Sequence, residues 1–314
     1  VVSGRRANGE GSIFPYRNGF AAYVWVTTPV GRKQRKYVYG RTRQDVHDKW
    51  IALMGQAKRG PVATKVPTVG TFLTYWLDEV IAPNRAPLTA STYSILCRLY
   101  IVPGLGAKRL DKLTVRDVQS WLGKVSATCQ CCAQGKDERR PEALRRCCAV
   151  GQCCRAYPSS RTVRDLRTVL RSALGHAITE ELIARNVAAL VKVPSARTRT
   201  VQAWTSEEAS QFLESARADD DNLSAAFVLV LVLGLRKGEV LGLDWDAVHL
   251  DRGEIAIGWQ LQRVRRELLR RETKTRASDA VLPLPEICAA ALRHRAAQQQ
   301  VQRQAVDDAW VGSP

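Results

Sequence analysis

The apolar positions change period several times along the chain. From about Gly9 to Arg59, short runs rich in β-branched and aromatic residues, "SIFPY", "FAAYVWVTT" and "RKYVYG", are broken by "RNG" and "PVGRK". Such runs between turn residues predict three β-strands. "GRTRQDVHDKWIALMGQAKR" then sets Val46, Trp50 and Leu53 at helical spacing, with Thr42 as the N-cap. The segment predicts a small three-stranded sheet backed by one helix. "GPVATKVP" reads as a linker.

Helical spacing dominates from Thr68 to about Ile178. "TVGTFLTYWLDEVI" places Val69, Phe72, Leu73, Trp76, Leu77 and Val80 on one face. "TASTYSILCRLYI" predicts a second helix, ended by "PGLG". "LTVRDVQSWLGKV" predicts a third, capped by Thr114, with Val118, Trp121, Leu122 and Val125 inward. "SSRTVRDLRTVLRSALGHAI" predicts a fourth, apolar at Val163, Leu166, Leu170, Ala173, Leu174 and Ala177. Its other face carries Arg161, Arg164, Arg167 and Arg171, either a solvated stripe or a track for phosphates.

After "VPSARTRTV" the pattern mixes. Thr205 and Glu208 have capping-box spacing ahead of "SQFLESA". "NLSAAFVLVLVLG" is apolar nearly all round and predicts a buried helix. "GEIAIGW" and "DAVLPLP" read as strands around a basic connection, "RVRRELLRRETKTRAS". From Glu286 a helix containing Leu292 runs on with a glutamine-rich end.

The composition adds a partner. Of 314 residues, 45% are hydrophobic, enough for a real core, while the formal net charge is +18. A charge of that size points to a polyanion, most often nucleic acid. "GRKQRKYVYGR" interleaves cations with tyrosine, which fits a sheet presented to DNA, or else a charged edge strand. "VVSGRRANGEGS" has no apolar signal region, and the longest apolar run, Ala225 to Leu233, is far short of the roughly 20 residues that cross a bilayer. The expectation is a cytoplasmic protein with no membrane partner.

An insertion between the third and fourth helices, "CQCCAQGKDERRPEALRRCCAVGQCC", holds Cys129, Cys131, Cys132, Cys147, Cys148, Cys153 and Cys154. Clustered thiols in a reducing compartment suggest a metal more than disulfides. Zinc takes four tetrahedral ligands and would staple a loop with little core of its own, so four of the seven form a candidate structural zinc site. Seven exceeds four, and adjacent cysteines suit one ion poorly; redox-active thiols or plain tolerance are the alternatives. Cys97 and Cys288 fall at core positions of helices.

"LGLRKGEVLGLDW", Leu233 to Trp245, breaks the apolar run with an arginine and a carboxylate one turn apart. Gly234 can end the preceding helix in a left-handed cap. Arg236 then stands at a helix boundary, where its donors can meet an oxyanion, and Glu239 can hold the fork. Leu241, Leu243 and Trp245 would anchor the second helix. A structural Arg–Glu pair beside a core fits the same letters.

"GLRKGEVLGLDWDAV" resembles the first arginine box of the tyrosine recombinases, the phage-integrase family. "TKTRASDAVLPLP" resembles that family's β-hairpin, "TASTYSILCRLYIVPGLGAKRLDKLTVRDVQSWL" its helical core-binding domain, and "GEGSIFPYRNGFAAYVWVTTPVGRKQRKYVYGRTRQDV" the arm-site-binding domain of phage integrases. The resemblance implies a multidomain chain. Residues 1–60 would be an arm-site-type domain, a three-stranded sheet plus helix, and 61–67 a linker. Residues 68–195 would be an all-α core-binding domain with the Cys-rich insertion at 129–154. Residues 200–314 would be the first part of an α+β catalytic domain, mostly helical with a β-hairpin sheet. It also implies site-specific DNA recombination through a 3′-phosphotyrosyl link, with no cofactor required and with oligomers forming on double-stranded attachment sites. Arg236 would clamp the scissile phosphate, Glu239 would support it, and Lys274 would protonate the leaving 5′-oxygen.

The family's His-x-x-Arg box and tyrosine nucleophile find no match here. The last tyrosine is Tyr157, and "HLDR" at His249 to Arg252 precedes the hairpin instead of coming after it. The expectation is a chain truncated within its catalytic domain and inactive alone. The alternative is a non-catalytic DNA-binding protein that occupies attachment sites, with the insertion as a zinc-stapled interaction module. Either way, phosphate contacts should dominate affinity. In gel shifts with duplex DNA, log K is expected to fall linearly with log salt; binding indifferent to salt would contradict this reading of the charge.

Overall fold

The structure is a computed structural model describing residues 13–28, 31–62, 64, 66–193, 200, 202–273 and 279–306. The chain divides into two compact units, Val1–Arg197 and Thr198–Pro314.

The first unit opens with β1 (Phe14–Tyr16), β2 (Gly19–Thr27) and β3 (Lys33–Gly40), an antiparallel sheet in that order, and continues into α1 (Arg43–Arg59). Alternation in β2 buries Ala22, Val24 and Val26, while Trp25 stays exposed. Val24 and Val26 pack with Leu53 and Val62, and Trp50 donates its indole N–H to the Tyr23 carbonyl at 3.1 Å. Thr42 caps α1 by accepting the Asp45 N–H at 3.1 Å.

The helices come next. Helix α2 covers residues 69–84: α-helical at Val69–Tyr75, π-wound at Trp76–Ile81, then α-helical at Ala82–Asn84. Val69, Phe72, Leu73 and Trp76 are buried as expected. The wider π turn moves the next fully buried position to Ile81, so Leu77 and Val80 are only partly covered. Helix α3 covers residues 87–105: Pro87–Leu96, a π-wound Cys97–Ile101, then Val102–Leu105. The expected stop at "PGLG" is therefore corrected. Pro103 has no N–H to give, and the π turn just before it absorbs the missing bond, so the helix continues to Leu105.

Thr114 and Asp117 form a capping box at the start of α4 (Val115–Ala127), which buries Val118, Trp121 and Leu122. The insertion holds the short helix α5 (Gln130–Ala133) and two single turns. Helix α6 (Ser160–Thr179) buries all six expected positions and Val169 besides. Together α2, α3, α4 and α6 close one apolar core that contains Cys97. The arginine stripe on α6 is less uniform than its spacing suggested. Arg161 pairs with Asp165 at 3.0 Å, and Arg167 donates to the carbonyls of Ala188 and Ala189 at 3.1 and 2.9 Å. Arg167 thus ties down the turn after α6.

The second unit contains α7 (Ser206–Ala218), α8 (Ser224–Leu233), α9 (Lys237–Leu241), β4 (Val248–His249), β5 (Glu254–Ile257), β6 (Trp259–Val264), β7 (Glu267–Glu272), β8 (Ala280–Pro283) and α10 (Glu286–Val306). Strands order as β4-β5-β8 in one antiparallel sheet, and β6–β7 form a separate hairpin. Thr205 and Glu208 make the expected capping box of α7. The core gathers Leu229, Leu235, Ile255, Ile257, Leu284, Cys288, Ala289 and Leu292. Helix α8 corrects the expectation of full burial: Ala225 and Leu229 are buried, but Val230, Leu231 and Val232 are exposed. Apolar composition all round a helix says nothing about how many partners pack on it. Among the described residues, no helix is long and apolar enough to cross a membrane.

Asp117 generates a pH prediction. The Lys108 ammonium first, then the Thr114 backbone N–H and hydroxyl, hold its carboxyl down at about 2. A depressed folded pKa stabilises above the unfolded pKa and stops doing so as pH falls through the folded one. The stability lost in Asp117→Asn should therefore be constant from neutral pH down to about 4. It should vanish as pH approaches the folded value of about 2, as urea unfolding of the two proteins would show.

Candidate functional site

The segment around Arg236 is built from a helix end. Gly234 adopts φ 67°, and its N–H closes α8 on the Val230 carbonyl at 3.1 Å. That left-handed step suits glycine and turns the chain out of the helix. Leu235 returns to the core, and Arg236 is extended at φ −74°, ψ 147° just ahead of α9. Glu239 accepts the Arg236 backbone N–H on Oε2 at 2.8 Å and the Arg236 Nη1–H on Oε1 at 2.7 Å. The Glu239 side chain is 8% exposed and that of Arg236 is 68% exposed. A buried carboxylate thus holds one edge of a guanidinium whose side chain stays accessible to solvent. A charge-assisted bond of this kind fixes the direction in which the fork can meet an anion.

The two glycines of "RKGEVLG" explain why α9 sits where it does. A Cβ on Gly242 would lie 2.7 Å from the Gln260 backbone, and one on Gly238 would lie 3.2 Å from the Leu261 carbonyl oxygen. The backbone of α9 therefore rests directly on β6. Gly-x-x-x-Gly spacing on a short helix is the signal in the sequence for this close approach. The anchors expected after the box are corrected. Helix α9 ends at Leu241, which is exposed; Leu243 packs on the core, and Trp245 is half exposed with its indole N–H on Gln299 Oε1 at 2.7 Å.

The basic connection expected between two strands is itself the β6–β7 hairpin, with Arg265 at φ 57° in its turn. Asp244 pairs with Arg270, which also lies 4.5 Å over the Trp259 ring. These contacts tie the hairpin to the segment after α9. Thr273 donates its N–H to the Gly258 carbonyl at 3.1 Å where the hairpin ends. Lys274 lies outside the described residues. The structure thus brings together Arg236, Glu239 and the hairpin.

On the small sheet of the first unit, the face away from α1 carries Tyr16, Tyr23, Trp25, Arg35, Tyr37 and Tyr39. Tyr23 lies opposite Tyr37, and Trp25 lies opposite Arg35. The Arg35 guanidinium sits 4.9 Å from both the Tyr23 and Trp25 rings, and Tyr16 and Tyr39 meet at 5.2 Å. Trp25 is 57% exposed. Aromatic rings left in water beside cations make a surface suited to a polyanion that also offers edges and faces to stack on.

In the insertion, all seven cysteines converge as free thiols. Cys129 is pulled down to about 6, first by the Cys132 backbone N–H. Asp137 is not singled out by the sequence pattern, where it is one charge among several in "GKDERR". It is buried and accepts the N–H groups of Arg146, Cys147 and Ala149, the last two at 2.9 and 3.1 Å; Arg140 pairs with it at 2.8 Å. Those bonds set the turn that presents Cys147 and Cys148.

Residues 68–126 match the family model described as phage integrase, N-terminal SAM-like domain. The chain is 26% identical over 323 residues to an integrase of Streptomyces ambofaciens, covering 98% of this chain and 73% of that protein. It is 24% identical over 301 residues to a XerC-like tyrosine recombinase of Caldanaerobacter subterraneus subsp. tengcongensis, covering 88% of this chain and 69% of that protein. In fold it is similar to the integrase of transposon Tn1549, solved in complex with a circular intermediate DNA. That match has a TM-score of 0.55 at 17% identity, covering 79% of this chain and 68% of the other. The resemblance to phage-integrase-type tyrosine recombinases holds along most of the chain, with residues 68–126 similar to the family's SAM-like helical domain.

Gly242→Ala tests the seat of α9. Forcing a methyl group against the Gln260 backbone should cost about 1–3 kcal/mol of stability, the usual penalty of overpacking. Denaturant unfolding of the wild-type and variant chains measures it, and a neutral result would mean that α9 is not held against β6.

Proposed function

We propose that the chain acts in site-specific DNA recombination as the DNA-binding and phosphate-clamping part of a phage-integrase-type tyrosine recombinase. The observation that carries this is Arg236, set at a helix boundary by the buried Glu239. The similarity to integrases over 98% of the chain supports it. Its partner is double-stranded DNA at attachment sites, on which copies of the chain assemble. The chemistry needs no cofactor. Arg236 stabilises the equatorial oxygens of the scissile phosphate while a tyrosine attacks in line and forms a 3′-phosphotyrosyl link. Lys274, which comes after β7 in sequence, protonates the leaving 5′-oxygen.

The remaining parts divide the binding. Residues 1–60, with the Arg35 and tyrosine face, take the arm-type site. Residues 68–195 take the core site, and residues 200–314 bring the clamp to the phosphate. A second reading, binding without cleavage, draws on the exposed Arg35 and aromatic face of the small sheet, which needs no nucleophile to hold DNA. On that reading the chain occupies attachment sites and competes with a catalytically complete integrase.

A suicide DNA substrate separates the two. The 314-residue chain should shift the DNA and leave no covalent adduct. A longer chain carrying a His-x-x-Arg box and a later tyrosine should trap a protein–DNA adduct at the correct site. In that longer chain, Arg236→Ala should cut adduct formation by about 10²–10³-fold, as losing one oxyanion donor does, and leave the gel shift in place. No adduct from the longer chain on its own site would overturn the recombinase reading.

A further inference from the structure

We propose that the insertion between α4 and α6 holds two zinc-like divalent cations in one binuclear thiolate centre, with Cys148 as the bridge. This replaces the single four-ligand site expected from the sequence and does not rest on the recombinase reading. The seven thiols sort into two quartets, Cys129, Cys132, Cys148 and Cys153, and Cys131, Cys147, Cys148 and Cys154. Within each, all four sulfurs lie within 4.8 Å of one another. The quartets share Cys148 and together use every cysteine of the insertion.

The geometry suits tetrahedral thiolate sites. A zinc–sulfur bond of about 2.3 Å gives a tetrahedron with sulfur–sulfur edges of about 3.8 Å. In the first quartet Cys132 and Cys153 are 3.8 Å apart, and Cys129 and Cys148 are 4.0 Å apart. In the second, Cys131 and Cys147 are 3.8 Å apart, as are Cys148 and Cys154. Cys132 and Cys148 are closer, at 3.1 Å, and Cys129 lies 3.9 Å from Cys154 across the two quartets. Two of the three adjacent pairs are divided between the ions: Cys131 and Cys132 fall in different quartets, and so do Cys153 and Cys154, while Cys147 and Cys148 share the second quartet, with Cys148 also reaching the first as the bridge.

Charge and packing point the same way. Two divalent cations and seven thiolates leave a net charge of minus three. Residues 129–155 carry six Lys and Arg against three Asp and Glu, an excess that balances it. Between Cys129 and Tyr157 the buried residues are Cys129, Gln130, Cys131 and Asp137, so no apolar core holds the segment together. Asp137 orders the Cys147–Cys148 turn from below, as a supporting partner of a metal ligand does. A soft, redox-inert cation that prefers four sulfurs is the chemistry these donors fit.

The test uses the whole chain, purified reduced with zinc present and then freed of loose metal. Elemental analysis should find two zinc ions per chain. Cadmium exchanged into the site should give two NMR resonances, each split by the other through the shared sulfur. Cys148→Ala should hold one metal or none, while Cys288→Ala, whose thiol lies in the other unit, keeps two. One zinc or none in the unaltered reduced chain would overturn the proposal, and so would two unsplit cadmium signals or a Cys148→Ala variant that keeps both ions. None of these measurements involves DNA, so their failure leaves the recombinase reading untouched.

Discussion

A buried carboxylate organises the second unit. Glu239 sits almost out of solvent, where an unpartnered charge would cost several kcal/mol. Arg236 removes that cost twice over, through its backbone N–H and its guanidinium. The same two bonds start α9 and aim the arginine. Five residues make too short a helix to persist by itself, so its seat must come from packing. Gly238 and Gly242 supply that seat by letting the helix backbone lie on β6. The Arg236–Glu239 pair, the short helix and the hairpin are therefore packed as one unit.

The first unit divides its work differently. Its helical core is apolar and dense, and it uses polar contacts mainly at its edges, in the Thr114–Asp117 box and the Arg167 tie. The small sheet does the reverse. It buries one face against α1 and leaves tyrosines, Trp25 and Arg35 in water on the other. Keeping large rings exposed is unfavourable for a chain that needs only to fold, and it is useful for one that meets a charged, stackable partner.

Much of the fold was legible because its determinants are local. Caps at Thr42, Thr114 and Thr205 arise from the reach of a hydroxyl to the N–H three residues on. The buried faces of α4 and α6 come from helical periodicity. What escaped depends on neighbours. The π turns before Ala82 and Val102 shift the register of their helices; each comes just ahead of a proline, Pro83 or Pro103, which marks a break in the helix but not that the chain widens and continues. The exposed side of α8 looks apolar in sequence whether or not anything covers it. The hairpin β6–β7 hid behind arginines, whose long stems sit on a strand as readily as in a loop.

The site shows the same boundary. The letters "GLRKGE" determined that an arginine and a carboxylate stand one turn apart after a glycine cap, since backbone geometry alone dictates that spacing. Only the tertiary structure decided that the carboxylate is buried and the arginine accessible, because burial depends on the core beneath and on β6 alongside. For the insertion, the sequence determined seven thiols and an excess of cations. Which sulfurs meet was decided by the folded loop. Cys131 and Cys132 join different quartets, as do Cys153 and Cys154, while Cys147 and Cys148 share one, and partners such as Cys132 and Cys153 meet across 21 positions of sequence.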